Sequence, residues 1–135
     1  MRTLTAVLID DFPQALELLE NDIKNYHPKI EIIGTAESVV GAAKLLQKIQ
    51  PDILFLDIML GDGTGFDVLE IVPNLKSKII FVTASDAFAI KAFKFSAIDY
   101  ILKPYAQEDL NIAINKAISH IQPSHEQLSI LKNVI

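Results

Sequence analysis

A chain of 135 residues, half of them hydrophobic, suits one globular domain that can bury a core without metal or disulfide help. It has no cysteine, which excludes a disulfide framework, a thiol nucleophile and a zinc–thiolate site and fits a cytoplasmic location. The net charge of −5 argues against the domain itself as a general nucleic-acid binder, because neutralising phosphates needs a basic face.

The opening residues, MRTLTAVLIDDF, do not read as a secretory signal, and no apolar run reaches ~18 residues, so no membrane span is expected. The β-branched run TAVLID (5–10) predicts a buried strand. A helix over 12–26 follows, with Ala15, Leu16, Leu19 and Ile23 at helical spacing and Pro13 in its first turn; His27-Pro28 ends it. A strand over 30–36 leads to a helix over 38–49 capped by Ser38. The third strand is 53–57, followed by a short helix over 65–72 that Pro73 stops. Next come a strand over 78–84, a helix over 86–95 capped by Ser85 or Asp86, a strand over 99–103 and a helix over 107–121. Five strictly alternating βα units predict an α/β fold, a doubly wound five-stranded parallel sheet with helices on both faces. The tail over 122–135 starts with Pro and Ser and then turns amphipathic through Leu128, Ile130, Leu131, Val134 and Ile135. It reads as a linker after a domain over 1–121, as the start of a missing C-terminal effector region, or as a helix seeking a partner.

The stretch ILFLDIMLGDGTG (53–65) runs a buried strand into a lone aspartate. Ligands of open α/β sheets bind beyond the carboxyl ends of the strands. Here those ends carry Asp10-Asp11, Asp57, Thr83-Ala84 and Lys103-Pro104. With the first strand central and the third beside it, these residues share one cleft. Clustered carboxylates repel and call for a cation, and an all-oxygen donor set favours a hard ion such as Mg2+. Asp57 could then act as a nucleophile toward phosphorus, with Lys103 and Thr83 on the phosphoryl oxygens. Each residue also has an ordinary reading. Asp11 can cap the helix that follows, GDGTG can be a plain turn, Thr83 can be a plain strand residue and Lys103 a solvated one.

Taken together, Asp10-Asp11, Asp57, Thr83-Ala84 and DYILKP (99–104) resemble the receiver (CheY-like) domain of two-component response regulators, over about residues 4–121. The stretch FVTASDAFAIKAFKFSAIDYILKPY (81–105) resembles receivers that precede a LytTR DNA-binding domain. The resemblance implies a flavodoxin/CheY-like (βα)5 sheet in strand order 2-1-3-4-5. It implies Asp57 as phosphoacceptor, Mg2+ held by Asp10, Asp11, Asp57 and the Met59 carbonyl, and Thr83 and Lys103 on the phosphoryl group. Tyr100 would be the switch aromatic that moves inward with Thr83, and Lys103-Pro104 a cis peptide. The implied partners are a sensor histidine kinase and, when phosphorylated, a second copy of the chain. DNA would be met only through an effector domain outside this chain, and there is no membrane partner. The protein would catalyse only its own phosphorylation and dephosphorylation. One departure is Gly61, where the family often has proline; glycine is expected to loosen the loop.

The helix at 86–95 carries Phe88, Ile90, Phe93 and Phe95, more apolar surface than one buried stripe needs. Either all four pack on the sheet, or Phe88, Phe93 or a neighbour is partly exposed and forms a dimer face with the fifth strand and last helix. His27, His120 and His125 have no visible partners and read as surface residues. Three rivals remain. A haloacid-dehalogenase-type phosphatase is resembled by Asp62-Gly63-Thr64, but its nucleophile spacing fails and no cap domain fits. A pseudo-receiver is opposed by the intact acidic pair, Asp57, Thr83 and Lys103. A dinucleotide-binding domain lacks its G-x-G-x-x-G.

Overall fold

The computed structural model describes residues 3–121; the tail over 122–135, with its expected linker or effector start and His125, lies outside the described residues. The predicted strands form β1 (Leu4–Ile9), β2 (Ile30–Ala36), β3 (Ile53–Leu56), β4 (Lys78–Thr83) and β5 (Asp99–Leu102). All neighbours pair in parallel, in the order β2-β1-β3-β4-β5. Helices α1 (Pro13–Tyr26), α2 (Val39–Lys48), α3 (Gly65–Ile71), α4 (Ala89–Lys94) and α5 (Gln107–His120) connect them.

The apolar runs of β1, β3 and β4 are continuous because these inner strands are covered on both faces. Val7, Ile9, Leu54, Leu56, Ile79 and Phe81 face α2, α3 and α4. The residues between them, Ala6, Leu8, Ile53, Phe55, Ile80 and Val82, face α1 and α5. The side-chain period of two therefore splits each run between two cores. A large side chain removed from water, such as Phe55 or Phe81, contributes about 1.5–3 kcal/mol. The edge strand β2 differs: its buried and exposed residues alternate, and Ile33 is bulged out where Ala6 pairs with Ile32 and Val7 with Gly34.

Pro13 opens α1, and the Ser38 hydroxyl caps α2 by accepting from Gly41 N–H at 2.9 Å. Thr64 and Asp67 form a capping box on α3. Helix α4 is shorter than the expected 86–95. Ser85 and Asp86 do not cap it; the Ser85 hydroxyl instead accepts from Ala87 N–H at 3.3 Å, so residues 85–88 are used in a turn and Phe88 is an uncapped start. Ser96, in the left-handed region at φ 63°, follows the end of the helix. The helix's apolar residues divide. Phe88 and Phe95 pack with Phe66 on the core, whereas Ile90 and Phe93 are 79% and 57% exposed.

Candidate functional site

Asp10 and Asp57 stand one residue beyond β1 and β3, Thr83 is the last residue of β4, and Lys103 follows β5. The sheet's order brings them to one rim, where Asp57, Thr83 and Lys103 line a cleft with Asp11, Gln14 and Met59. Asp10, Asp57 and Thr83 are buried, at 5%, 6% and 1% exposure. One carboxylate oxygen from each of Asp10, Asp11 and Asp57 lies within 4.8 Å of the others.

Backbone and lysine hold this acidic cluster. Asp57 Oδ1 accepts from its neighbour Ile58 N–H at 2.7 Å, and Asp57 Oδ2 accepts from the Lys103 ammonium at 3.1 Å. Lys103 also donates to Asp10 Oδ2, so one ammonium bridges two carboxylates. Burial by itself lowers the lysine pKa. The hydrogen bond to Asp10 and the charges of Asp57 and Asp10 outweigh it, and the net direction is upward. The second oxygen of Asp10 accepts from Phe12 N–H at 3.0 Å, forming the turn into α1. That turn leaves Asp11 out of the cap: the N-cap of α1 is Phe12, whose side chain makes no capping bond. Asp11 Oδ1 is the one buried side-chain polar atom without a partner among the described residues.

An orphaned buried carboxylate oxygen beside two further carboxylates, with no nitrogen or sulfur in the cluster, fits a hard metal ion. The Met59 side chain is exposed, while its backbone forms an isolated bridge to Thr64 across the loop after β3. Gly65 is required there for a different reason from loop freedom. A Cβ on it would stand 2.5 Å from the Asp57 carbonyl oxygen and 2.9 Å from Leu56 Cγ, so only glycine lets α3 begin against the end of β3.

Tyr100, on β5, pairs with Phe81 of β4 and is not among the residues that line the cleft. Its hydroxyl donates to the Ser85 carbonyl oxygen, its ring lies 6.2 Å from that of Phe81, and burial raises its pKa. Phe66 of α3 links this region to α4, with ring centroids 5.2 Å from Phe81 and Phe95 and 6.1 Å from Phe88. The Lys103–Pro104 peptide is cis. Thr83 Oγ1 accepts from Ser85 N–H at 3.4 Å.

The structure also corrects the reading of His27 and adds two contacts. His27 is half-buried and not partnerless: its Nε2 donates to Asn111 Oδ1 at 2.7 Å, joining α1 to α5, and Gln107 donates to the same oxygen. His120 is exposed, as expected. Tyr105 donates to Asp22 at 2.7 Å, tying the loop after β5 to α1, and Asp62 accepts from two backbone N–H groups of α2. Neither contact has a local sequence signal, because the partners lie 83 and 22 to 23 residues away.

A family model described as the response regulator receiver domain matches residues 6–115. This chain belongs to that family. The receiver domain is 41% identical over 113 residues to the sensory transduction protein LytT of Enterococcus faecalis, covering 82% of this chain and 46% of that one. It is 39% identical over 131 residues to LytR of Staphylococcus haemolyticus, covering 93% and 48%. Among solved structures, the response regulatory domain of mrkE from Klebsiella pneumoniae superposes with a TM-score of 0.78 at 30% identity, covering 86% of this chain and 96% of that one. The chain spans about half the length of the curated relatives it matches. Family membership sets aside the phosphatase and dinucleotide-binding rivals. No helix among the described residues is long and apolar enough to cross a membrane.

Proposed function

We propose that this receiver domain is a phosphorylation-dependent switch that accepts a phosphoryl group on Asp57 from the phosphohistidine of a sensor histidine kinase. The observation that carries the reading is the placement of Asp57: a strand-held carboxylate, 6% exposed, lining an open cleft with Lys103 and Thr83 beside it. Asp10, Asp11, Asp57 and the Met59 carbonyl would hold Mg2+, which when bound offsets charge on the carboxylates and on the transferring phosphoryl oxygens.

The chain's own groups supply the rest. An Asp57 carboxylate oxygen forms the new bond to phosphorus as the donor's phosphorus–nitrogen bond breaks, and the imidazole leaves with its electron pair. Lys103 leaves its carboxylate bridge to pair with a phosphoryl oxygen, and the Thr83 hydroxyl donates to another. Thr83 is the residue two before Ser85, whose carbonyl holds the Tyr100 hydroxyl. A shift of Thr83 toward the phosphoryl group therefore pulls on the turn over 85–88 and on the start of α4, with Tyr100 filling the space behind. The protein catalyses only its own phosphorylation and dephosphorylation.

Output leaves through the face made by α4, β5 and α5, where Ile90, Phe93, Leu102 and Ile112 are exposed. Burying them against a second copy would form the phosphorylated homodimer. In this reading residues 1–121 are the receiver and 122–135 a linker or the start of an effector region, and the protein works in the cytoplasm. The relatives' greater length and the LytT and LytR names support a LytTR-type DNA-binding effector beyond residue 135. The test is intact mass after incubation with Mg2+ and acetyl phosphate. A gain of one phosphoryl group in the wild type and none in Asp57→Asn is expected. No gain in a wild type that binds Mg2+ would refute the switch and favour a pseudo-receiver.

A further inference from the structure

The loop after β3 carries both the Asp57 end and the Met59 carbonyl, so anything that holds this loop holds half of the proposed metal site. Gly61 stands where a proline is common, but its φ of 70° is one that proline, fixed near −65°, cannot adopt. The loop therefore takes another path, and it is not slack. Leu60 N–H donates to the Gly63 carbonyl at 3.0 Å, and Gly65 N–H donates to the Ile58 carbonyl at 2.8 Å. Between these bonds stands Asp62. Its Oδ1 accepts from Val39 N–H at 2.8 Å and its Oδ2 from Val40 N–H at 3.2 Å. Those are first-turn donors of α2 that Ser38, occupied with Gly41 N–H, does not reach. The Val39 N–H lowers the pKa of this carboxyl, burial acts against it, and the Val40 N–H adds to the lowering, so it stays ionised and charge-assisted.

We propose that Asp62 is a positioning residue: by clamping the loop after β3 onto the N-terminus of α2, it sets the place of the Met59 carbonyl and so the affinity of the acidic site for Mg2+. The proposal rests on the phosphorylation-switch reading above. It makes the clamp the device that stiffens a loop built without proline. It also links the metal site to α2, so that metal binding and the order of the first turn of α2 strengthen each other equally.

Three substitutions separate the bond from the charge. Asp62→Ala removes both. Asp62→Asn removes the charge and keeps an acceptor for Val39 N–H. Val39→Pro keeps the charge and deletes the 2.8 Å donor, at a helix position where proline fits and after Ser38, whose extended backbone tolerates it. Calorimetric titration of the full chain with Mg2+ alone is expected to show about tenfold weaker binding for Asp62→Ala, the scale on which groups supporting metal ligands act. Val39→Pro should shift in the same direction and Asp62→Asn should lie between. At saturating Mg2+ the maximal rate of phosphorylation by acetyl phosphate should return to the wild-type value, giving a change in half-saturating Mg2+ alone. In the wild type, Mg2+ should slow hydrogen exchange at the Val39 and Val40 amides. Folded Asp62→Ala and Val39→Pro proteins that bind Mg2+ within twofold of a wild type that does bind it would overturn the clamp and leave the switch standing. A wild type that binds no Mg2+ would overturn both.

Discussion

Removing the proposed phosphoacceptor charge should make the metal-free protein more stable. Asp57 lies within 4.8 Å of oxygens from both Asp10 and Asp11. At an effective dielectric near 20, each such repulsion amounts to at least about 3.5 kcal/mol. The attraction to Lys103 at 3.1 Å returns about 5 kcal/mol on the same scale. Asp57 is thus left net repelled by about 2 kcal/mol, which solvent entering the open cleft reduces to about 1 kcal/mol. Asparagine is the same size and can still accept from Ile58 N–H. Asp57→Asn is therefore expected to melt about 4 °C above the wild type in chelator at neutral pH. Lys103→Met should move the other way by about 2 kcal/mol, because it leaves three carboxylates uncompensated. Added Mg2+ at a hundred times its dissociation constant should raise wild-type stability by about 2.7 kcal/mol, and Asp57→Asn by clearly less. Thermal unfolding followed by circular dichroism reads all of these. An Asp57→Asn protein that melts below the wild type without metal would show that the cluster is not under electrostatic strain.

Gly65→Ala places a Cβ 2.5 Å from the Asp57 carbonyl oxygen and should destabilise by about 2 kcal/mol in urea unfolding while slowing phosphorylation; an alanine protein as stable as the wild type would contradict the close approach. Tyr105→Phe deletes the 2.7 Å bond to Asp22 and should lose about 1 kcal/mol at neutral pH. Burial and Asp22 raise the Tyr105 pKa above its ordinary 10.0, so its protonated form stabilises the fold. That stability is fully present below the unfolded pKa and is lost as pH climbs through the folded value; urea unfolding above pH 10 should show a shallower decline in Tyr105→Phe, and an identical slope would remove the assignment. Ile90→Glu lies on an exposed position and should change monomer stability by less than about 0.5 kcal/mol. Sedimentation should show that it abolishes a dimer formed by phosphorylated wild type; a phosphorylated Ile90→Glu dimer of unchanged strength would move the interface elsewhere.

What could be read without coordinates was whatever repeats or ends. Val7 and Ile9 facing one core while Ala6 and Leu8 face the other is one pattern of period two, and a run apolar on both faces identified a doubly covered strand. The positions of Asp10, Asp57, Thr83 and Lys103 at the strand ends followed from chain order alone, because a parallel sheet puts all its carboxyl ends on one side. Contacts that join distant segments were not legible. Asp62-Gly63 looks like any turn, and nothing near it in sequence points to Val39. Helix α4 is shorter than its apolar spacing suggests because Phe88 and Phe95 continue that spacing but pack on Phe66 from outside the helix proper. His27 looked solitary because its partner Asn111 lies 84 residues away.

The switch proposed above depends on one carboxylate, Asp57, receiving the phosphoryl group. The direct measurement is to phosphorylate the full chain with acetyl phosphate and Mg2+, reduce the acyl phosphate with borohydride, and sequence the peptides by tandem mass spectrometry. Reduction converts a phosphorylated aspartate into homoserine, which marks the site permanently. Homoserine is expected at position 57 and at no other aspartate. Homoserine at 10 or 11 with Asp57 unmodified, or none anywhere in a protein shown to bind Mg2+, would contradict the proposed switch.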